Sequence, residues 1–69
     1  MRRIAVHRLL TDDDNAVEMA VIEIADGQVV RWMPLDGEEP MTEWLGGEAR
    51  LRRNNKGQLQ VFLNNELLC

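Results

Sequence analysis

A chain of 69 residues with a formal net charge of −4 forms one domain with room for a single small core. Its one cysteine, Cys69, excludes an internal disulfide, and one cysteine with one histidine cannot supply a Cys/His zinc site. Arginines flank the first apolar run, which argues against a signal peptide. The sequence also contains no run of about 18 apolar residues, the length that a membrane-spanning helix needs. We expect one domain over residues 1–69, cytoplasmic, with no membrane contact, cofactor or metal.

Short runs rich in Val, Ile and Leu alternate with turn-forming clusters along the chain. In chain order they predict strands at residues 3–10, 16–25, 28–33, 47–53 and 58–63, with a short sixth strand at 66–69. Residues 34–46 are irregular: Pro40 can open one helical turn, or residues 42–45 can form a strand. The predicted fold is therefore all-β, an antiparallel meander of five or six strands in a compact sandwich or open barrel, with at most one helical turn.

Two features predict the strand register. Asp26-Gly27 provides the two positive-φ positions of a type I′ turn, which would pair Ile24 with Val29 and Val21 with Trp32. In the preceding hairpin, pairing residue 10 with residue 16 places arginines 3 and 8 opposite glutamates 23 and 18. Opposite charges across the ladder support that register, because a slip of one residue would lose both pairs.

This register leaves the first three strands apolar on both faces. The hairpin of residues 47–63 can cover one face, with Arg50, Arg52, Gln58 and Gln60 pointing outward. The second face, with residues 17, 19, 21, 30 and 32, would stay exposed over several hundred Å², which is typical of an interface. The predicted contact residues are Met19, Val21, Val30, Trp32 and Trp44.

No constellation of side chains indicates catalysis or metal binding. His7 lacks a partner for acid–base chemistry, and residues 12–14 (three aspartates) lack the glycine and the distal acid of a calcium loop. The segment 54–57 (Asn-Asn-Lys-Gly) is typical of a hairpin turn and not of a phosphate loop. We expect His7 and the three aspartates to be dispensable for activity.

The one local basic patch comprises Arg50, Arg52, Arg53 and Lys56. Together with the tryptophans it could bind a small ligand or a nucleic acid. Few aromatic residues accompany it and the chain as a whole is acidic, which disfavours nucleic acid as a partner.

The sequence of residues 24–31, Ile-Ala-Asp-Gly-Gln-Val-Val-Arg, resembles a hairpin in the small β-sandwich subdomain of amidohydrolases. The catalytic barrel and the His-x-His metal motif of that family are absent from this sequence, so the resemblance implies no activity. Continued through residues 34–38 (Pro-Leu-Asp-Gly-Glu) and 42–47 (Thr-Glu-Trp-Leu-Gly-Gly), the chain is also similar to short bacterial proteins of unknown function. That resemblance implies no biochemistry.

The sequence therefore favours a non-catalytic interaction module that self-associates, most simply as a homodimer, or docks on another protein. Binding of a small ligand or a nucleic acid through the basic patch is the alternative, and an enzyme is not expected.

Overall fold

The computed structural model describes residues 1–37 and 41–68. Its regular structure is entirely β, which confirms the predicted fold class. Among the described residues, no helix is long and apolar enough to cross a membrane. The strands are β1 (Arg2–Leu10), β2 (Ala16–Ala25), β3 (Gln28–Pro34), β4 (Glu43–Trp44), β5 (Glu48–Arg53), β6 (Leu59–Leu63) and β7 (Glu66–Leu67).

The strands form one mostly antiparallel sheet in the order β3-β2-β1-β5-β6-β7, and β1 lies at its centre. One edge of β1 pairs antiparallel with β2. The other edge is shared by β4 and β5, both of which run parallel to β1. The sheet curls until β3 contacts β6 but does not close into a barrel.

The core lies on the concave face of this curled sheet. Leu51 and Val61, from β5 and β6, are fully buried against β1 and β2, as expected for a hairpin that covers one face. Fully burying one aliphatic side chain stabilises a fold by about 1.5–3 kcal/mol. The residues of this core cluster are Ile4, Val6, Leu9, Ala20, Ile22, Ile24, Val29, Ala49, Leu51 and Val61.

The register of β1 against β2 is the predicted one. Arg3 pairs with Glu23, Arg8 with Glu18, and residue 10 with residue 16. The turn after β2 also has the predicted geometry, because Asp26 and Gly27 have φ values of 54° and 75°. The type I′ turn thus fixes the start of the second hairpin.

Further along that hairpin the predicted register is wrong. Ile24 pairs with Val29 as expected, but the next pair on β2 and β3 is Glu23 with Arg31. Val30 is the additional residue of a β-bulge, which shifts all later pairs by one position. Trp32 therefore pairs with residue 22 and not with residue 21. The bulge removes Arg31 from the core face and places it opposite a carboxylate.

A second irregularity reverses which side chains point inward. On β1 the core positions are 4, 6 and 9, so the alternation breaks between Val6 and Leu9. Opposite this break, Met19 on β2 has a φ of 60°, in the left-handed region. The reversal turns Val17, the partner of Leu9, toward the core cluster. Its predicted place on the second face is therefore wrong.

The segment between β3 and β5 contains β4, so the extended alternative is correct at Glu43 and Trp44. The predicted helical turn is therefore wrong at these two residues. Pro40, at which it would open, lies outside the described residues, as does Cys69. After β4 the chain turns at Gly46 and Gly47, both with a φ of 69°. Left-handed backbone of this kind is accessible to glycine without a steric penalty, and here it lets β4 and β5 follow one another along the same edge of β1.

Candidate interaction surfaces

The turn between β4 and β5 is fastened to β1 by backbone hydrogen bonds. The amides of Leu45 and Gly46 both donate to the carbonyl of Ala5, at 2.9 and 3.2 Å. The carbonyl of Gly47 accepts from His7 and Arg8, at 3.0 and 3.1 Å. Six backbone groups of the turn and of β1 are thereby satisfied, and the position of the turn is fixed.

His7 completes this arrangement with its side chain. The amide of Gly47 donates to His7 Nδ1 at 3.2 Å, so that ring nitrogen is the acceptor. The imidazole also contacts Trp44 edge to face, with ring centroids 4.8 Å apart and an interplanar angle of 83°. His7 is therefore a structural residue that orients Trp44.

Trp44 is 51% exposed, although its backbone pairs with Ala5 on β1 and its ring contacts His7. Met19 lies opposite His7, because its neighbours on β2 pair with the residues that flank His7 on β1, so Met19 and Trp44 approach His7 from the two sides of β1. Met19 is 39% exposed. We name His7, Met19 and Trp44 the Trp44 surface.

The other predicted contact residues do not join this surface. Val21 has 0% exposure, so its predicted place in an exposed interface is wrong. Trp32 is half-buried and packs against the core cluster, because the bulge turns it toward Ile22. Val30 is 50% exposed but lies on the edge strand β3, separated from β1 by β2 and level with the start of β1. The predicted patch of five residues is thus divided, and Met19 and Trp44 are the two that both lie next to His7.

Part of the outer face is covered by an ion cluster of Glu23 with Arg3 and Arg31. The sequence predicted the pair of Arg3 with Glu23 but not the cluster of three. Glu23 is buried between Arg3, whose Nε lies 3.1 Å from Glu23 Oε2, and Arg31, whose Nε donates to Glu23 Oε1. The hydrogen bond from Arg31, together with the charges of both arginines, holds the pKa of Glu23 below its ordinary value. The same hydrogen bond raises the pKa of Arg31.

The arginines of β1 are paired with acids along the whole strand. Arg2 contacts Glu43 at 3.3 Å, and Arg8 lies 3.7 Å from both Glu18 and Glu48. These pairs connect the basic N-terminal strand with the acidic middle of the chain.

The predicted basic patch is divided by the fold as well. Arg53 donates to Asp12 at 3.2 Å and to the carbonyl of Gly57 at 2.9 Å, so it ties the hairpin to the first loop. The carboxylate thus neutralises one of the four predicted cations.

Arg50 and Arg52 point outward from β5, because they alternate with the core residues Ala49 and Leu51. Among residues 1–37 and 41–68, neither forms an ion pair. Phe62 lies directly opposite Arg50 on β6, and Gln60 lies opposite Arg52. Opposed residues share a face of the sheet, so these four side chains form one outward surface, which we name the arginine surface.

Two shallow clefts flank Arg50. One has a volume of about 260 Å³ and is lined by Glu48, Phe62, Asn64 and Asn65 in addition to Arg50. The other has a volume of about 330 Å³ and extends along β5 toward the first loop. Its lining residues are Thr11, Asp12, Asp14, Arg50, Leu51, Arg52 and Arg53.

Phe62 is the residue of this surface that the sequence analysis missed. The predicted hairpin of residues 47–63 already placed Gln58 and Gln60 outward, and Phe62 has the same parity. The tryptophans, which the sequence analysis combined with the basic patch, do not belong to it. Trp32 packs against the core and Trp44 lies beside His7.

The acidic first loop shows the local hydrogen bonding expected of a hairpin connection. Thr11 Oγ1 donates to Asp13, which lowers the pKa of that carboxyl, and the amide of Asn15 donates back to Thr11 Oγ1 at 3.1 Å. Within the described part of the chain, no group of three or more His, Cys, Asp or Glu side chains could hold a metal ion. The turn at Asn54 is an Asx turn, whose side-chain oxygen accepts from the amides of Lys56 and Gln58.

Fold and surfaces together define a small domain with a single curled β-sheet and two distinct exposed surfaces. Comparison of the chain with protein-family models, curated proteins and solved structures finds no match. The resemblances to the amidohydrolase subdomain and to short bacterial proteins therefore stay predictions.

Proposed function

We propose that this chain is a non-catalytic protein-interaction module that associates with a second copy of itself through the Trp44 surface. The observation that carries the proposal is the half-exposed indole of Trp44, fixed against His7 on a turn that is hydrogen-bonded to β1. Tryptophan is the residue type most enriched among interface residues that dominate binding energy.

The rigidity of the turn supports this role. Association costs free energy for every side chain and loop that must be ordered on binding. Trp44 is already ordered by its contact with His7 and by the hydrogen bonds around Gly47. Its apolar area is therefore available for binding at a small entropic cost.

The charges around Trp44 favour a second copy as the partner. Arg8 lies beside Glu18 and Glu48, and Arg2 beside Glu43, so both signs border this part of the sheet. A two-fold axis places the same surface on both partners, and a border of mixed sign can then match acid with base.

The test is the mass of the protein in solution at tens of micromolar, measured by light scattering and sedimentation equilibrium. We expect a mass of twice the 7.9 kDa of one chain. Trp44→Glu should give a monomer, because a carboxylate would be buried without a partner. Val30→Glu is the matched control: it places the same charge at an equally exposed apolar position, and the dimer should persist.

Two results would contradict the proposal. One is a wild-type protein that stays monomeric throughout this concentration range. The other is a Trp44→Glu variant that still dimerises, which would place the contact elsewhere on the sheet.

A further inference from the structure

We infer that the arginine surface is a binding site for single-stranded nucleic acid, separate from the Trp44 surface. It combines two unpaired cations, an aromatic ring and amide side chains on one face of a two-stranded hairpin. Single strands are bound by this combination, in which cations contact the phosphates and bases stack on aromatic rings.

The charge balance on β5 is the first step of the argument. The chain is acidic overall, but Asp12 is neutralised by Arg53, and Glu48, on the wall of the smaller cleft, lies beside Arg8, which Glu18 shares. Arg50 and Arg52 retain their charges for a ligand, and Asp14, on the wall of the larger cleft, offsets one of them. The four side chains of the arginine surface therefore carry two positive charges and no negative one, in a protein with net negative charge.

The spacing of the two arginines is the second step. They are two residues apart on one strand, which places their Cα atoms about 7 Å apart on the same face. Two guanidinium groups in such a row can contact successive phosphates of an extended strand.

Phe62 and the neighbouring asparagines provide the third step. The ring lies opposite Arg50 and lines the smaller cleft together with Asn64 and Asn65. A base stacked on Phe62 would direct its edge toward these amides, which can both donate and accept hydrogen bonds. The cleft of about 260 Å³ lies within reach of Arg50, which can hold the adjoining phosphate.

The test uses a fluorescently labelled single-stranded oligonucleotide of about eight nucleotides, a length within the range bound by small β domains. Its anisotropy is measured while the full chain is titrated. With two phosphate contacts, the logarithm of the dissociation constant should rise with the logarithm of salt concentration with a slope of about 1.4. Binding should weaken roughly sevenfold between about 50 mM and 200 mM salt.

Arg50→Gln/Arg52→Gln should abolish this salt dependence and weaken binding at low salt more than tenfold. Phe62→Leu should weaken binding by at least about fivefold and leave the slope unchanged, because stacking is lost while the phosphate contacts remain. Arg2→Gln is the matched control, since that arginine is already paired with Glu43 and lines neither cleft, and its affinity and slope should equal those of the wild type.

Chemical-shift mapping of the wild-type protein supplies a readout that does not depend on any variant. The oligonucleotide should shift the amides of Arg50, Arg52, Gln60, Phe62 and Asn64. Shifts confined to other residues, or no binding at low salt, would refute the inference.

Competition decides between classes of ligand. Unlabelled single strands should displace the labelled one, whereas a polyglutamate peptide and vesicles of anionic lipid should not. Equal displacement by either would overturn the assignment to nucleic acid, because it would show a general anion or membrane site. Trp44→Glu should bind the oligonucleotide as the wild type does, so this inference and the proposed function succeed or fail separately.

Discussion

The two halves of the sheet use the same residue type in different ways. On the β1–β3 meander, Arg3 and Arg31 enclose the buried carboxylate of Glu23. On the β5–β6 hairpin, Arg50 and Arg52 lie across from Phe62 and Gln60 on the outer face. Both pairs of arginines project from one continuous sheet. Arg3 and Arg31 are engaged in ion pairs with Glu23, whereas Arg50 and Arg52 face solvent.

The difference follows from where the acidic residues lie in the sequence. β2 and β4 carry glutamates and pair directly with β1, so the cations there are neutralised inside the fold. β6, the partner of β5, carries no acid. A count of charges over the whole chain therefore conceals a cationic surface, which becomes evident once the strand pairs are known.

The largest expected effect comes from removing the carboxylate that the meander arginines share. Glu23→Gln keeps the shape of the side chain but loses both ion pairs. We expect the largest loss of stability among the variants in this series, measured as a lower urea midpoint at neutral pH. Arg52→Gln, the counterpart on the hairpin, should change the free energy of unfolding by no more than about 0.5 kcal/mol.

The pH dependence sharpens the same comparison. Because the folded-state pKa of Glu23 is lowered from its ordinary value of 4.5, its contribution to stability is complete above that pH. The contribution is lost as pH falls through the lower folded-state pKa. The urea midpoints of wild type and Glu23→Gln should differ at neutral pH and converge in acid, whereas a constant difference would show that the ion cluster is not its source.

A smaller loss of stability is expected from a substitution in the turn between β4 and β5. Gly46→Ala must keep a φ of 69° and would place its Cβ 3.4 Å from His7 Nδ1. Gly37→Ala is the matched control, with a φ of 76° and open space around the added Cβ. Left-handed backbone costs an alanine about 1–2 kcal/mol in both variants. Gly46→Ala should be the less stable by urea denaturation, and equal losses would show that the contact with His7 has no energetic weight.

The smallest loss of stability in this series is expected from deleting Val30, the additional residue of the bulge. The deletion would leave Val29 opposite Ile24 and Arg31 opposite Glu23 in a regular ladder. The fold should persist, with nuclear Overhauser contacts still joining Trp32 to Ile22. Contacts from Trp32 to Val21 would show instead that the ladder slips by one position when the bulge is removed, and hence that the bulge itself sets the register.

Local signals in the sequence were sufficient for the strands, the two-residue turn and the first register. Asp26-Gly27 and the two opposite-charge pairs each act between neighbouring strands, so they can be recognised from a short stretch of sequence. The bulge also left a signal, because the uniform register put Arg31 on an otherwise apolar face.

Other features could not be predicted because they arise between distant residues. The parallel pairing of β1 with β4 and β5 has no connecting turn that would mark it. The left-handed backbone at Met19 is equally hidden, since methionine carries no preference for it. Two of the five predicted contact residues, Val21 and Trp32, lie in the interior or against it.

The central place of β1 has a consequence for the order in which the protein can fold during synthesis. β1 precedes the other strands in the chain, but the partners of its second edge come later, as the separation of 40 positions between His7 and Gly47 shows. A nascent chain that ends before β5 therefore carries a strand with one open edge and the exposed side chains of an unfinished core. Productive folding of this domain must wait until its C-terminal hairpin has left the ribosome, and a chaperone that holds the emerging first strands would raise its yield.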